Sequence, residues 1–201
     1  MANYPKVLES LIAKLMRLPG IGRRSAERIA FQILNSSHQE AKELADSILR
    51  IKHNLGLCKI CNNLSEKDTC DICQDPRRHK DTICVVEEPK DVLAVEKTAN
   101  FNGVYHVLMG SIAPLEGRGP DDLKIKELLS RLKNGAIKEV IIATDSDTEG
   151  ETTALYLTKL IKPLPLGMKI SRIGVGIPVG SNLEYIDSST LSKALESRRE
   201  V

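Results

Sequence analysis

The chain has 201 residues, 41% of them hydrophobic, enough for one sizeable core or two to three small modules. Its net charge of +2 excludes no partner by itself, because a phosphate-binding footprint depends on where the cations cluster. No stretch approaches the roughly 20 apolar residues of a membrane helix. The amphipathic run from Met1 to Lys14 is unlike a signal peptide, so a cytoplasmic address without a membrane partner is expected.

Three helical patterns come first, with apolar residues at Val7, Leu8, Leu11, Ile12, Leu15 and Met16, at Ala26, Ile29, Ala30, Ile33 and Leu34, and at Ala41, Leu44, Ala45, Ile48 and Leu49. Each pattern predicts one face turned inward. Ser37 with Glu40 has the spacing of a capping box that starts the third helix. Between the first two lies Leu18-Pro19-Gly20-Ile21-Gly22-Arg23-Arg24-Ser25-Ala26, which has the form of a helix-hairpin-helix. Two glycines allow a tight turn that brings backbone N–H groups near a phosphate at the positive end of the next helix. Arg24 and Arg28, four residues apart, project from one face of that helix and would add charge-assisted contacts. An ordinary helical hairpin with solvated arginines would carry the same turn; the clustering of Arg23, Arg24 and Arg28 favours DNA. Contacts of this kind hold phosphates and carry little sequence information, so single- and double-stranded DNA are both expected partners.

Cys58 and Cys61, then Cys70 and Cys73, form two Cys-x-x-Cys knuckles. Four thiolates suit tetrahedral Zn²⁺ and leave no open position for water, so the site should be structural. Free thiols or a redox pair are the alternative. The surrounding segment has few large apolar side chains, and its order is expected to come from the metal. Cys84 stands alone in an apolar run and reads as a small core residue.

Beyond the cysteines the period changes, with β-rich runs at Thr82 to Val86, Val104 to Leu108, Glu139 to Ala143 and Lys169 to Ile173 and helical patterns between them. That alternation predicts an α/β domain with a parallel sheet. Glu87 follows the first run, and Asp145 and Asp147 follow the third, where the C-terminal ends of parallel strands form a ligand crevice. Three carboxylates brought together would repel one another unless Mg²⁺ or a basic partner relieved them. Helix starts whose acidic residues complement the dipole are the alternative. Gly174 to Gly180 then leads to Ser188-Ser189 and a last polar helix, read as a separate arm.

Val85-Val86-Glu87 together with Ala143-Thr144-Asp145-Ser146-Asp147-Thr148-Glu149-Gly150-Glu151 resembles the Toprim domain of type IA topoisomerases, bacterial primases and certain nucleases. Helix-hairpin-helix, four cysteines and Toprim, in that order, is similar to the RecR family of bacterial recombination mediators over essentially the whole chain. Cys73-Gln74-Asp75-Pro76-Arg77-Arg78, Gly117-Arg118-Gly119-Pro120-Asp121-Asp122 and Gly176-Ile177-Pro178-Val179-Gly180 look like further segments of that family.

The resemblance implies a helix-hairpin-helix module over 1–54, a zinc finger over 55–78, a Toprim domain over 79–175 and a C-terminal arm over 176–201. It implies a non-catalytic DNA clamp in repair of DNA damage, closed as a tetrameric ring. Acting with RecO and RecF, such a clamp helps load RecA onto single-stranded DNA and associates with the nucleoid. By likeness the arginines contact DNA, and the acidic face docks a partner. Many relatives lack the aspartates of the second acidic turn, which leaves Mg²⁺ binding open here. A small metal-dependent nuclease is the enzyme alternative.

Overall fold

The computed structural model describes residues 4–133, 137–164 and 167–198. The first residues of the expected helical module and the end of the expected arm lie outside the described residues. The chain divides into two compact units, Met1–Leu55 and Gly56–Val201.

The first unit holds α1 (Lys6–Leu15), α2 (Arg23–Asn35) and α3 (His38–Asn54). Its core is small: Ile12 inserts against Ala26 and Ala30, with Leu8, Leu11, Leu15 and Ile21 partly buried around them. The two alanines let α2 close onto α1, because neither has a side chain beyond Cβ to keep the backbones apart. The Ser37 capping box forms as the spacing predicts, with Ser37 N–H donating to Glu40 at 2.8 Å and Glu40 N–H to Ser37 Oγ at 3.2 Å.

One expectation fails in α3, which buries none of its residues. Leu44, Ile48, Leu49 and Ile51 are all exposed. The amphipathic period fixes which face is apolar, but none of the described residues of this unit buries it.

In the second unit, β1 (Gly56–Leu57) and β2 (Leu64–Ser65) form a short antiparallel pair, followed by α4 (Asp71–Gln74). A parallel sheet then assembles from β3 (His79–Val86), β4 (Gly103–Val107), β5 (Glu139–Ile142) and β6 (Lys169–Arg172), in the order β4-β3-β5-β6. The helices α5 (Pro89–Glu96), α6 (Ile125–Lys133) and α7 (Thr148–Ile161) connect them. The predicted runs lie on these strands to within a few residues.

Alternation along β3 sends Ile83 and Val85 to one face, where they pack with Leu128 and Leu132 of α6 and Leu157 and Ile161 of α7. Cys84 and Val86 turn to the other, against Tyr105, Val107 and Val92 of α5. Cys84 is thus a core residue, and burial pushes its thiol up to about 12. A segment of loops, including a 3₁₀ turn at Leu183–Tyr185, leads to α8 (Ser188–Glu196), whose N-terminus is capped by Asp187 accepting Thr190 N–H at 2.9 Å. Among the described residues, no helix is long and apolar enough to cross a membrane.

Candidate nucleic-acid interface and metal centre

The turn into α2 begins with Ile21 N–H donating to the Leu18 carbonyl at 3.1 Å. Gly20 sits at φ +77°, left-handed backbone that side chains beyond glycine resist. Gly22 is the extended N-cap of α2, no side chain caps that end, and its first turn holds no acidic residue. The positive end of α2 is therefore presented to solvent with its first N–H groups free of side-chain acceptors.

The three arginines have different surroundings. Arg23 is bound within the unit, donating to Glu9 at 3.0 Å and to Glu27 at 2.9 Å, and its guanidinium pKa is raised by those carboxylates, Glu9 foremost. It braces α1 against α2. Arg24 and Arg28 are exposed on successive turns, and among the described residues neither has a carboxylate partner. Sequence spacing alone could not separate Arg23 from the other two, since Glu9 is fourteen positions away.

The four cysteines of the two knuckles converge. All are buried, and their sulfurs lie within 4.8 Å of one another. Cys58 N–H donates to the Asn63 carbonyl at 2.8 Å and Asn62 N–H to the Cys58 carbonyl at 2.9 Å, which curls the first knuckle around its sulfurs. Asn62 takes φ +59°, a conformation asparagine tolerates better than most residues. Cys70 N–H points at the Cys58 sulfur, 3.3 Å away, as backbone donors do toward a thiolate. Cys61 and Cys70 sulfurs are 3.6 Å apart, and that contact holds the Cys70 thiol low and the Cys61 thiol high. Four soft donors packed this closely fit one tetrahedral Zn²⁺ and leave no room for a substrate.

The acidic turns meet at the C-terminal ends of β3 and β5, which are neighbours in the sheet. Among the described residues, the cysteine quartet is the only group of three or more metal-binding side chains gathered closely enough for an ion, and the expectation of Mg²⁺ at Glu87, Asp145 and Asp147 is not supported. The reason is local. Glu87 is buried and turned inward, accepting Asp145 N–H at 3.1 Å, while Asp147 caps α7 by accepting Gly150 N–H at 2.8 Å. Burial raises the Glu87 carboxyl pKa, opposed by the Asp145 N–H and assisted by Asp145, Asp147 and Asp91.

Gly150 is required at this junction, since a Cβ would stand 2.2 Å from the Asp145 carbonyl oxygen and 2.8 Å from Glu87 Oε1. Further members of the site are ones that the sequence motifs do not pick out. Asp91, whose carboxyl is also raised by burial, accepts Glu88 N–H at 2.7 Å, and its spacing from Glu88 is the one clue the chain offered. Arg172 pairs with Glu151, and Lys193 of α8 reaches the Ser146 carbonyl at 3.3 Å and Glu151 at 3.6 Å. Cations from β6 and the arm thus already border the acidic turn.

Comparison with known proteins assigns each part. Family models described as the RecR helix-hairpin-helix, the RecR four-cysteine zinc finger domain, the Toprim domain and the RecR C-terminal region match residues 8–52, 55–75, 81–174 and 176–199. Among curated relatives, Recombination protein RecR of Acidothermus cellulolyticus is 52% identical over 198 residues, covering 98% of each chain. Recombination protein RecR of Streptomyces avermitilis is 50% identical over 196 residues, again covering 98% of each.

Proposed function

Because this chain belongs to the RecR family of recombination proteins, we propose that it is a DNA-binding clamp that mediates recombinational repair without cutting or joining DNA. The observation that carries this reading is the pair Arg24 and Arg28, free of carboxylates among the described residues and beside the uncapped N-terminus of α2. Such a surface holds phosphate through N–H groups, the helix dipole and guanidinium charge, irrespective of sequence. Arg23 supports it by fixing α2 against α1.

In this reading the module boundaries fall at 1–54, 55–78, 79–175 and 176–201, and Cys58, Cys61, Cys70 and Cys73 hold one structural zinc. The zinc supplies folding energy to a segment too poor in apolar side chains to order itself. The chain acts with RecO and RecF to help load RecA onto single-stranded DNA in the cytoplasm, at the nucleoid. Copies close into a tetrameric ring, and the uncovered apolar face of α3 is a surface suited to joining them. The acidic turn serves as a docking face for a basic partner. Glu87 and Asp147 are already committed to backbone donors, which argues against a nuclease centre.

The test is binding of fluorescent single-stranded, double-stranded and gapped DNA over a range of salt, with cleavage scored in the same samples. Arg24→Ala and Arg28→Ala should each weaken binding equally for unrelated sequences and reduce the salt slope by about 1. Full affinity and slope in both variants would remove the interface; Mg²⁺-dependent cleavage abolished by Asp145→Asn with Asp147→Asn would replace the clamp with a nuclease.

A further inference from the structure

The outer edge of β4 is where the knuckle and a helix of the sheet domain meet. Even-numbered residues along β4 turn their backbone groups toward β3, as Leu108 just beyond its end does in donating its N–H to the Val86 carbonyl at 2.9 Å. The backbone groups of Tyr105 and Val107 therefore point outward along the free edge. Val107 N–H donates to the Cys61 carbonyl at 2.8 Å. Two residues earlier on the same edge, the Tyr105 carbonyl accepts from Arg131 Nη1 at 2.6 Å. Arg131 comes from α6, whose apolar side is packed on the sheet through Leu128 and Leu132, so a rigid element holds its guanidinium on the same strand edge two residues from the Cys61 contact.

Arg131 is partly buried and forms no ion pair with a carboxylate among the described residues. Arg78, which donates to the Gly103 carbonyl at 3.2 Å farther back on the same edge, differs in that Glu96 neutralises it. Burial of an unpaired cation is costly, and Arg131 is placed where anionic charge is expected. Desolvation lowers its pKa, and the groups opposing that fall are the four cysteines, Cys73 and Cys61 foremost. Four thiolates around one divalent cation leave a net formal charge of about −2.

We infer that Arg131 is the charge partner of the zinc–thiolate centre, held on the Tyr105 carbonyl so that its guanidinium offsets the excess negative charge of Cys58, Cys61, Cys70 and Cys73. It is a positioning residue outside the ligand set. Its charge slows loss of the metal and lowers the nucleophilicity of the thiolates. This rests on the zinc reading above, and the experiment separates the two.

Zinc content of the full chain is measured first by elemental analysis; metal-free wild-type protein would remove both readings. Release of zinc to a chromogenic chelator and alkylation of the thiols by N-ethylmaleimide are then timed for wild type, Arg131→Lys, Arg131→Gln and Arg131→Met. Gln keeps a donor for the Tyr105 carbonyl without the charge, and Lys keeps both. We expect Gln and Met to lose zinc and react about 10-fold faster, and Lys to stay within about threefold of wild type. If Met does not fold, judged by its melting curve, the Lys and Gln pair decides. Zinc-loaded protein in which Gln is as slow as wild type would reduce Arg131 to a hydrogen-bond donor and overturn the inference.

Discussion

The two units of this chain reach order by different routes. In Gly56–Val201 fifteen of the described residues are buried in one apolar cluster on a single face of the sheet, and a second cluster covers the other face. In Met1–Leu55 three of the described residues are buried, two of them alanine, and the longest helix contributes none. The sheet domain encloses its own core. The helical unit exposes Arg24 and Arg28 on α2, the surface proposed above to hold DNA, and leaves an apolar stripe exposed on α3. A unit specialised for contact retains apolar area that a self-contained domain would bury.

The largest test of this contrast concerns a part of the sheet unit that is held by its thiols rather than by apolar packing. Cys58→Ser removes a ligand from a segment whose buried cluster is four thiols and part of Ile72. It should cost about 4 kcal/mol or more and release the metal, read by urea melts with elemental analysis. Unchanged stability would mean that the segment is held by packing after all.

Next in size is Leu157→Ala, in the centre of the α7 face, which should cost about 3 kcal/mol in the same melts. A loss below about 1 kcal/mol would show that the sheet core is looser than its burial indicates.

Acid should act on the sheet unit through His106, which is fully buried on β4 with Nε2 at 2.8 Å from the Lys124 carbonyl. Desolvation lowers its pKa from 6.5 to about 4. The unfolded chain therefore binds a proton that the folded chain refuses between those values, and stability falls as pH drops through that window. The loss at pH 5 relative to pH 7.5 is about 2 kcal/mol. His106→Gln should flatten this dependence in thermal melts; an equal slope in the variant would place the acid sensitivity elsewhere.

The smallest effect on stability is expected in α3. Ile48→Ser should move the unfolding free energy of dilute, monomeric protein by no more than about 0.5 kcal/mol while lowering the assembly size in light scattering. A loss as large as that of Leu157→Ala would show that α3 is covered within its own chain, and the contrast would fail.

Much of this was legible because it is local. Strand period, the two cysteine knuckles, the Ser37–Glu40 box and the glycine turn all depend on neighbours within a few positions. What the sequence could not disclose depends on distant partners or on competition for one side chain. Arg23 looks like Arg24 until Glu9 is brought beside it. Asp147 looks like a metal ligand until the Gly150 N–H takes its oxygen. The period of α3 specifies an apolar face but not whether anything lies on it. Arg131 reads as a basic residue at the end of a helix, because neither Tyr105 nor the cysteines are near it in sequence.

The two margins of the sheet also differ in their tendency to recruit foreign strands. β6 carries Lys169 and Arg172, charges that discourage edge-to-edge stacking. β4 has an uncharged, fully buried sequence, and its outward N–H and carbonyl are occupied by Cys61 and Arg131. Withdrawal of the metal would loosen that cover and bare a flat apolar strand, the kind of template on which misfolded chains polymerise. The zinc knuckle would thus act as a stopper at one edge of the sheet, and loss of the metal should promote aggregation as well as local disorder.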